Sequence, residues 1–385
     1  MYFETLDSNR LNSQISGSRS EAVYTLFADQ SGAEAIAKDI CLEQTVEFPG
    51  SLTPEPIQQT IVGRIESLEP VGENRFSARI SYADESMTGE LVQLFNVLFG
   101  NISIKPGIRL ESFRLSDALL SQFRGPRFGI AGIRKLVGVP DRPLLFTALK
   151  PMGLDAVNLS DLAYEFAMGG VDVIKDDHGL GNQPFAAFRD RVEACAAAVA
   201  KANRQTGRNV IYAPNVTGPA LEMLDRARFA RQAGADALLV SPGLSGFDIM
   251  RAIADDEFVA APILAHPAFL GSFAINPFGI AHGCLFGQMM RLAGADATIF
   301  PNYGGRFSFS VQECLNIVKK SQEPMGDFPG IFPCPAGGMT LEKIPDMVKT
   351  LGRDIMLLIG GGLFSYSPDL RANCQAFLEK AKDNS

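Results

Sequence analysis

Tryptophan is absent from the 385-residue sequence, and histidine and cysteine are scarce, with three and six residues. No two cysteines have the CxxC spacing, and several lie in apolar runs such as CAAAVA. The usual patterns of structural zinc sites and of disulfide frameworks are therefore missing. We expect the cysteines to be buried thiols.

Long apolar runs and basic clusters are also missing. No segment reaches the roughly 18 to 20 apolar residues that cross a bilayer, and the amino end lacks the basic and apolar regions of a signal peptide. The formal net charge is −8, and the 35 Lys and Arg residues are dispersed rather than gathered into a stripe. We expect no membrane or nucleic-acid partner and a cytoplasmic location.

The pattern of the chain changes at about residue 130, which indicates two domains. Before this point, ICLEQTVEF, TIVGRIESLEP and FSARISYA alternate as strands do, and ELVQLFNVLFGN suits a short helix or strand. A chain of this length is also too long for one ordinary core. We predict an amino-terminal α+β domain of ferredoxin-like type over residues 1–130 and a second domain over residues 131–385.

Eight short apolar runs recur in the second region, each ending in a glycine, proline or charged cluster and most followed by a helical segment. The runs span residues 144–150, 171–177, 209–215, 237–243, 262–267, 297–302, 330–338 and 355–362. Strands of a parallel sheet covered on both faces are nearly all apolar, and eight βα units close a barrel. The sequence predicts a (β/α)8 TIM barrel.

Charged residues mark the second predicted strand, which ends in Lys175, Asp176, Asp177 and His178. Catalytic groups of such barrels lie at the carboxyl ends of the strands, and alternation places Lys175 and Asp177 on the same side. One hypothesis is that Asp177, His178 and a carbamylated Lys175 hold a hard divalent cation, Mg²⁺. The alternative is a buried ion pair with a loop carboxylate.

Two further strand ends carry candidate catalytic residues. Lys150 follows the first strand and is the best candidate for proton transfer, although it could instead pair with an acidic neighbour or bind phosphate. His266 follows the fifth strand and could contact the substrate or simply bond a backbone group. We assign no catalytic role to His282.

Glycine pairs follow the seventh and eighth strands, where this fold usually binds phosphate through backbone N–H groups. The pairs are Gly337 with Gly338 and Gly360 with Gly361. Tight turns could explain one pair. Two pairs at neighbouring strand ends favour a phosphate site.

Taken together, the segments ALKPMGL, GGVDVIKDD, PAGGMTLEKIP and LIGGGLF resemble the large chain of RuBisCO, and most closely its type IV relatives, the RuBisCO-like proteins. The resemblance covers nearly the whole chain. It implies a carbamylated lysine at Lys175, a metal ligand at Asp177, an acid or base at Lys150 and a substrate contact at His266. The two glycine pairs would bind the phosphate.

The amino-terminal domain extends the resemblance through LEQTVEF and FNVLFGN. These segments occupy the places of a family glutamate and asparagine that reach into the partner subunit's site. The resemblance therefore implies that Glu43 and Asn96 complete a shared active site in a homodimer.

Several positions depart from the pattern of a carboxylating RuBisCO. His178 replaces the third metal carboxylate, which weakens the preference for Mg²⁺. Met152 stands where a carboxylating RuBisCO has a required lysine, and Pro267 stands where it has an arginine after the histidine of the fifth strand. The histidine of the second phosphate site falls at residues 299–300, which are Ile and Phe. The loop lysine after the sixth strand is missing from FPNYGGRF, where Arg306 is nearby but out of register. We expect no carboxylase activity.

The retained residues are those needed to make an enolate of a small phosphorylated ketose. The resemblance to RuBisCO-like proteins implies one of that family's enolising reactions. The apolar corner near Met152, Pro267, Leu270 and Phe300 would suit a methylthio group, which among these favours a 5-methylthioribulose-1-phosphate isomerase or a related methionine-salvage enolase. One alternative is a 3-oxo-isoapionate-4-phosphate decarboxylase. Another is a regulatory RuBisCO homologue without turnover.

Overall fold

The computed structural model describes residue 11 and residues 13–305, 307 and 309–383. It divides the chain into two compact units. The first contains the described residues up to Phe123 together with Gly271–Gln288, and the second contains Arg124–Leu270 and the described residues from Met289 onward. In the described ranges, no helix is both long enough and apolar enough to cross a membrane.

The described strands form two sheets. In chain order they are β1 (Arg19–Leu26), β2 (Arg64–Gly72), β3 (Arg75–Ala83), β4 (Ile108–Arg114), β5 (Leu144–Leu149), β6 (Val173–Asp176), β7 (Ile211–Ala213), β8 (Leu238–Val240), β9 (Ile263–Ala265), β10 (Gly279–Ile280), β11 (Ala297–Pro301), β12 (Phe332–Ala336) and β13 (Met356–Ile359). The first unit holds the sheet β10-β4-β1-β3-β2. The second holds the other eight strands.

Helices connect most of these strands. The described α-helices are Gln30–Glu43, Glu55–Thr60, Asp84–Met87, Leu91–Phe99, Asp117–Leu120, Gly129–Val137, Ala156–Gly169, Phe188–Thr206, Ala220–Gln232, Pro242–Ser245, Phe247–Asp255, Gly271–Ala274, Met290–Leu292, Val311–Gln322, Ile344–Leu351, Gly361–Ser365 and Leu370–Lys382. Short 3-10 helices and one π-helix complete the described set: Gly50–Leu52, Asn101–Ile104, Leu341–Lys343 and Cys284–Met289.

The first unit has the ferredoxin-like order βαββαβ. β1 lies between β3 and β4 and is antiparallel to both, and β2 is antiparallel to β3. The helices Gln30–Glu43 and Leu91–Phe99 provide the two crossovers. The predicted α+β architecture of the amino-terminal region is confirmed.

One predicted strand of this unit, ICLEQTVEF, is wrong. Its first residues form the last turn of the helix that ends at Glu43. Ala33, Ala37, Ile40 and Cys41 are the buried residues of this helix, and their spacing of three to four residues places them on one face. Only the first few residues of ICLEQTVEF are helical, which is too few to distinguish the helical spacing of apolar residues from the alternation of a strand.

The boundary between the units differs from the predicted division at residue 130 in two places. The segment 271–288 lies in the first unit, because Gly279 and Ile280 pair with β4 and Gln288 Nε2 donates to Phe113 O at 2.8 Å. Residues 124–130 lie in the second unit, where the Phe128 N–H donates to Asp296 Oδ1 at 2.6 Å. The strand Gly279–Ile280 follows the fifth barrel strand in the chain but pairs with β4 of the first unit, and no local sequence pattern indicates this pairing.

The second unit is a closed parallel barrel. The strand order is β7-β6-β5-β13-β12-β11-β9-β8, and every paired strand is parallel to its neighbour. The two ends of this order meet, since Asn215 bridges to Leu239 and Leu239 N donates to Pro214 O at 2.9 Å. All eight predicted barrel strands are present, and the predicted fold is confirmed.

The six cysteines are buried thiols, as the sequence predicted.

Candidate active site

The alternation of side chains along the barrel strands aims the candidate residues into the barrel mouth. Val173 and Leu264 belong to the hydrophobic cluster inside the barrel. Lys175 and Asp177 continue the parity of Val173 on β6, and His266 continues that of Leu264 on β9. The charged residues therefore lie above an apolar plug, at the carboxyl ends of the strands.

Lys150 and Asp177 form an ion pair across adjacent strand ends. The Nζ of Lys150 lies 2.6 Å from Asp177 Oδ1, and the two side chains are 41% and 10% exposed. Burial alone would raise the pKa of Asp177, but hydrogen bonds from His178 and Lys150 and the charge of Lys175 outweigh it and lower that pKa. Asp177 is an anion held among cations, as the ion-pair alternative anticipated for Lys150.

Lys175 is almost completely buried, and its Nζ donates to Asp176 O at 3.0 Å. Burial lowers the pKa of Lys175 to about 8; the positive charge of Lys150 acts in the same direction, and Asp177 opposes it. A lowered pKa increases the fraction of neutral amine near neutral pH. Neutral amine is the form that reacts with CO2, so Lys175 suits carbamylation.

The rings of His178 and His266 stack, with centroids 4.3 Å apart and an angle of 11° between planes. His178 Nδ1 lies 3.2 Å from Asp177 Oδ1 and donates a hydrogen bond to that carboxylate. His266 Nδ1 accepts from Ala268 N at 3.1 Å. Burial and the charge of Lys175 lower the pKa of His266 to about 2, so its ring is neutral with Nε2–H as a donor.

The donor set tests whether these residues fit a divalent cation. Among the residues that the structure describes, no three His, Cys, Asp or Glu side chains converge as ligands. Asp177 and His178 supply two ligands of this kind, so the third must come from a modified Lys175 or from the substrate. The residues fit a cation under this condition, because a carbamate on the buried Lys175 would add oxygen ligands beside them.

A buried polar network beneath this cluster was not identified from the sequence. Asp176 accepts from Arg191 Nε at 3.0 Å, Tyr212 OH at 2.7 Å and Asn215 N at 3.0 Å. Asn215 Nδ2 also donates to His178 O at 3.0 Å. The network fixes the backbone that carries Asp177 and His178. The sequence did offer one indication: Asp176 faces the opposite side of the strand from Lys175 and Asp177, so its charge required a separate cationic partner.

Ser241, at the end of β8, has a hydroxyl that lacks a partner. Its Oγ is buried and makes no hydrogen bond within the described part of the chain. Ser241 precedes a short helix, yet its side chain does not cap it. Buried hydroxyls are normally bonded, so this one is available to a polar group that enters the mouth. Sequence reasoning gave no indication of it.

The four predicted phosphate glycines lie at the ends of β12 and β13, which are neighbours in the sheet. Gly337 and Gly338 have left-handed φ angles of 94° and 65°. A β-carbon on Gly360 or Gly361 would meet no atom within 4 Å. These glycines therefore leave open space beside backbone N–H groups.

Glu43 and Asn96 lie close to one another in the first unit. Gln44 Nε2 donates to Asn96 O at 2.8 Å and joins the ends of their two helices. Glu43 is held by Lys105 Nζ at 3.2 Å and Asn101 Nδ2 at 3.2 Å, and the hydrogen bonds from Lys105 and then Asn101 lower its pKa. The pair forms a polar patch with an anionic member.

The predicted apolar corner is formed only in part. Met152 is half exposed and lies against Gly179, since a β-carbon on Gly179 would be 2.4 Å from Met152 Cε. Ile299 belongs to the cluster inside the barrel, so the next residue, Phe300, faces outward, contrary to prediction. Arg306 lies outside the described residues.

Comparison with known proteins finds relatives that extend over most of this chain. Residues 129–306 match the family model of the ribulose bisphosphate carboxylase large chain, catalytic domain. The 5-methylthioribulose-1-phosphate isomerase of Rhodospirillum rubrum is 41% identical over 94% of this chain and 95% of its own. A 2,3-diketo-5-methylthiopentyl-1-phosphate enolase of Geobacillus thermodenitrificans is 33% identical over 90% of this chain and 86% of its own.

A solved structure gives the same result. The RuBisCO-like protein from Rhodopseudomonas palustris superposes with a TM-score of 0.86 at 38% identity, covering 95% of this chain and 98% of that one. A closed (β/α)8 barrel with charged residues clustered at the carboxyl ends of its strands is the arrangement found in TIM-barrel enzymes. The chain belongs to the family of the RuBisCO large chain, among its RuBisCO-like proteins, as the sequence motifs predicted.

Proposed function

We propose that the protein enolises a small phosphorylated ketose without fixing CO2, as a 5-methylthioribulose-1-phosphate isomerase. The main support is the contact of Asp177 with both Lys150 and His178 at two adjacent strand ends, with the Met152 thioether beside Gly179 in the loop that follows His178. The 41% identical relative bears the name of this activity.

Asp177, His178 and a carbamylated Lys175 would hold Mg²⁺. When bound, the ion supplies positive charge that stabilises a developing enolate oxygen. The structure contributes the anionic Asp177 and the buried amine of Lys175 to this set. His178 would contribute its other ring nitrogen, Nε2, because Nδ1 faces Asp177.

Lys150 is the proposed proton carrier. Isomerisation removes a proton from a carbon next to the carbonyl and returns a proton to a neighbouring carbon. The Lys150 side chain is 41% exposed and its Nζ contacts Asp177, so the amine lies at the barrel mouth beside a carboxylate. The Nε2–H of His266 donates to a substrate oxygen.

The remaining contacts would fix the two ends of the substrate. The glycines at the ends of β12 and β13 would hold the phosphate through their N–H groups. Met152 offers the methylthio end an apolar, polarisable contact. We further propose a homodimer in which Glu43 and Asn96 complete the partner's site.

The reaction is tested by incubating the protein with 5-methylthioribulose 1-phosphate, Mg²⁺ and bicarbonate in D2O and following ¹H and ³¹P NMR. We expect deuterium incorporation and a new sugar-phosphate signal, both lost in Lys150→Ala. Turnover of 2,3-diketo-5-methylthiopentyl 1-phosphate or 3-oxo-isoapionate 4-phosphate instead would reassign the enzyme to the enolase or the decarboxylase. Absence of exchange with all three would favour the regulatory homologue.

A further inference from the structure

Lys343 places a cation beside the predicted phosphate loop, in a position that the motifs did not single out. Its Nζ donates to Gly304 O at 3.1 Å, in the loop that follows β11. A β-carbon placed on Gly338 would lie 3.6 Å from the same Nζ. The ammonium group therefore lies where the loops after β11 and β12 meet.

These two loops are in backbone contact. A β-carbon on Gly305 would be 2.9 Å from Gly337 O, and one on Gly338 would be 3.1 Å from Gly305 Cα. Only glycine permits this approach, and it brings Lys343 close to Gly338 without a side chain between them. The loop after β11, the loop after β12 and Lys343 therefore surround one corner of the barrel mouth.

The charge of Lys343 is not neutralised by a carboxylate of the described residues. The nearby acids have other partners, since Asp346 accepts from Tyr303 OH at 2.8 Å and hydrogen bonds from its own backbone N–H and from Thr340 lower the pKa of Glu342. Lys343 is half-buried, and the backbone bond to Gly304 uses one of its three N–H donors. Two donors and a full positive charge remain for an anion.

The other lysines of the mouth are committed differently. Lys150 contacts Asp177, and Lys175 is buried with Nζ bonded to Asp176 O. Neither supplies a cation next to Gly337 and Gly338. A phosphate dianion held by glycine N–H groups alone would keep much of its charge uncompensated.

We propose that Lys343 binds the phosphate of the substrate together with the backbone of Gly337 and Gly338. The inference rests on the proposed function for its substrate, a phosphate monoester, but not for the reaction performed. Lys343 is a binding residue that sets the preference for phosphorylated over unphosphorylated ketoses. It takes no part in proton transfer.

The experiment measures binding of inorganic phosphate to the full-length protein by ³¹P NMR titration, which needs no turnover. We expect Lys343→Met to weaken phosphate binding about tenfold, the loss of one charge-assisted hydrogen bond. Lys343→Arg should bind within about threefold of wild type. Lys349→Met is the matched control, because it removes the same charge from an exposed position of the helix Ile344–Leu351 and should change nothing.

A second variant separates charge from loop support. Lys343→Gln can still donate to Gly304 O but carries no charge, so it should bind phosphate as weakly as Lys343→Met. Wild-type binding by Lys343→Gln, or equal losses in Lys343→Met and Lys349→Met, would overturn the proposal. Failure of the wild type to isomerise any ketose, with the phosphate results intact, would instead count against the proposed reaction alone.

Discussion

Carboxylates occupy both ends of the barrel strands, but their partners differ. At the amino ends, Asp172 is gripped by both terminal nitrogens of Arg142 at 2.7 Å and by Leu145 N at 2.7 Å, and Asp296 accepts three backbone N–H groups. At the carboxyl ends, Asp177 is held by Lys150 and His178, whose side chains are 41% and 45% exposed.

This difference separates stability from function. The donors to Asp172 and Asp296 are backbone N–H groups and the nearly buried Arg142. Breaking these contacts would disrupt the barrel, so the carboxylates at the amino ends cannot exchange their partners for a ligand. The partners of Asp177 are exposed side chains that can exchange a carboxylate for a ligand. The two ends also differ in electrostatics: burial raises the pKa of Asp296 to about 6 despite its hydrogen bonds, whereas His178 and the two lysines lower that of Asp177.

The largest expected effect comes from removing the charge at the carboxyl end. Asp177→Asn keeps the size of the side chain but loses the anion that pairs with Lys150 and would hold the metal. We expect turnover and proton exchange to fall about 1,000-fold or more, as for loss of an essential acid–base partner. The thermal midpoint should stay close to that of wild type. A large drop in that midpoint would show that Asp177 is as structural as Asp172.

The matching change at the amino end is Asp172→Ala, which should act on stability. Arg142 is 12% exposed and would be left without its anion, while Leu145 N would lose its acceptor. Breaking a buried ion pair in this way costs about 3 to 5 kcal/mol of unfolding free energy. Urea denaturation measures the loss. At a temperature where the variant is still folded, kcat should be unchanged; a selective loss of kcat would contradict the division between the two ends.

The same division explains what the sequence could predict. The barrel followed from eight apolar runs because strands covered on both faces need apolar residues throughout. Lys175, Asp177 and His266 stood out because charge at a strand end interrupts such a run. In the first unit, the short window around Ile40 did not distinguish a helix end from a strand.

Residues that act through distant partners escaped prediction. Arg191 reaches Asp176 from the helix Phe188–Thr206, and Gln288 completes the edge of the first sheet from far along the chain. Both contacts depend on tertiary packing, which no local pattern encodes. Ser241 was missed for another reason, since one small polar residue at a strand end looks like a turn residue until its hydroxyl proves to lack a partner.

The smallest expected effect concerns two neighbouring glycines after β13, of which one should matter for stability and the other for phosphate binding. A β-carbon on Gly362 would lie 2.4 Å from Met339 O, whereas one on Gly361 would meet no atom within 4 Å. Gly362→Ala should therefore destabilise the protein by about 1 to 3 kcal/mol, the usual cost of overpacking. Gly361→Ala should unfold like wild type but raise KM for phosphorylated substrates, because its methyl group enters the space reserved for phosphate. Denaturation curves and KM values for both variants decide the matter. Equal KM values in Gly361→Ala and wild type would remove Gly361 from the phosphate site, and equal stability of the two variants would show that the loop adapts instead of being fixed at Gly362.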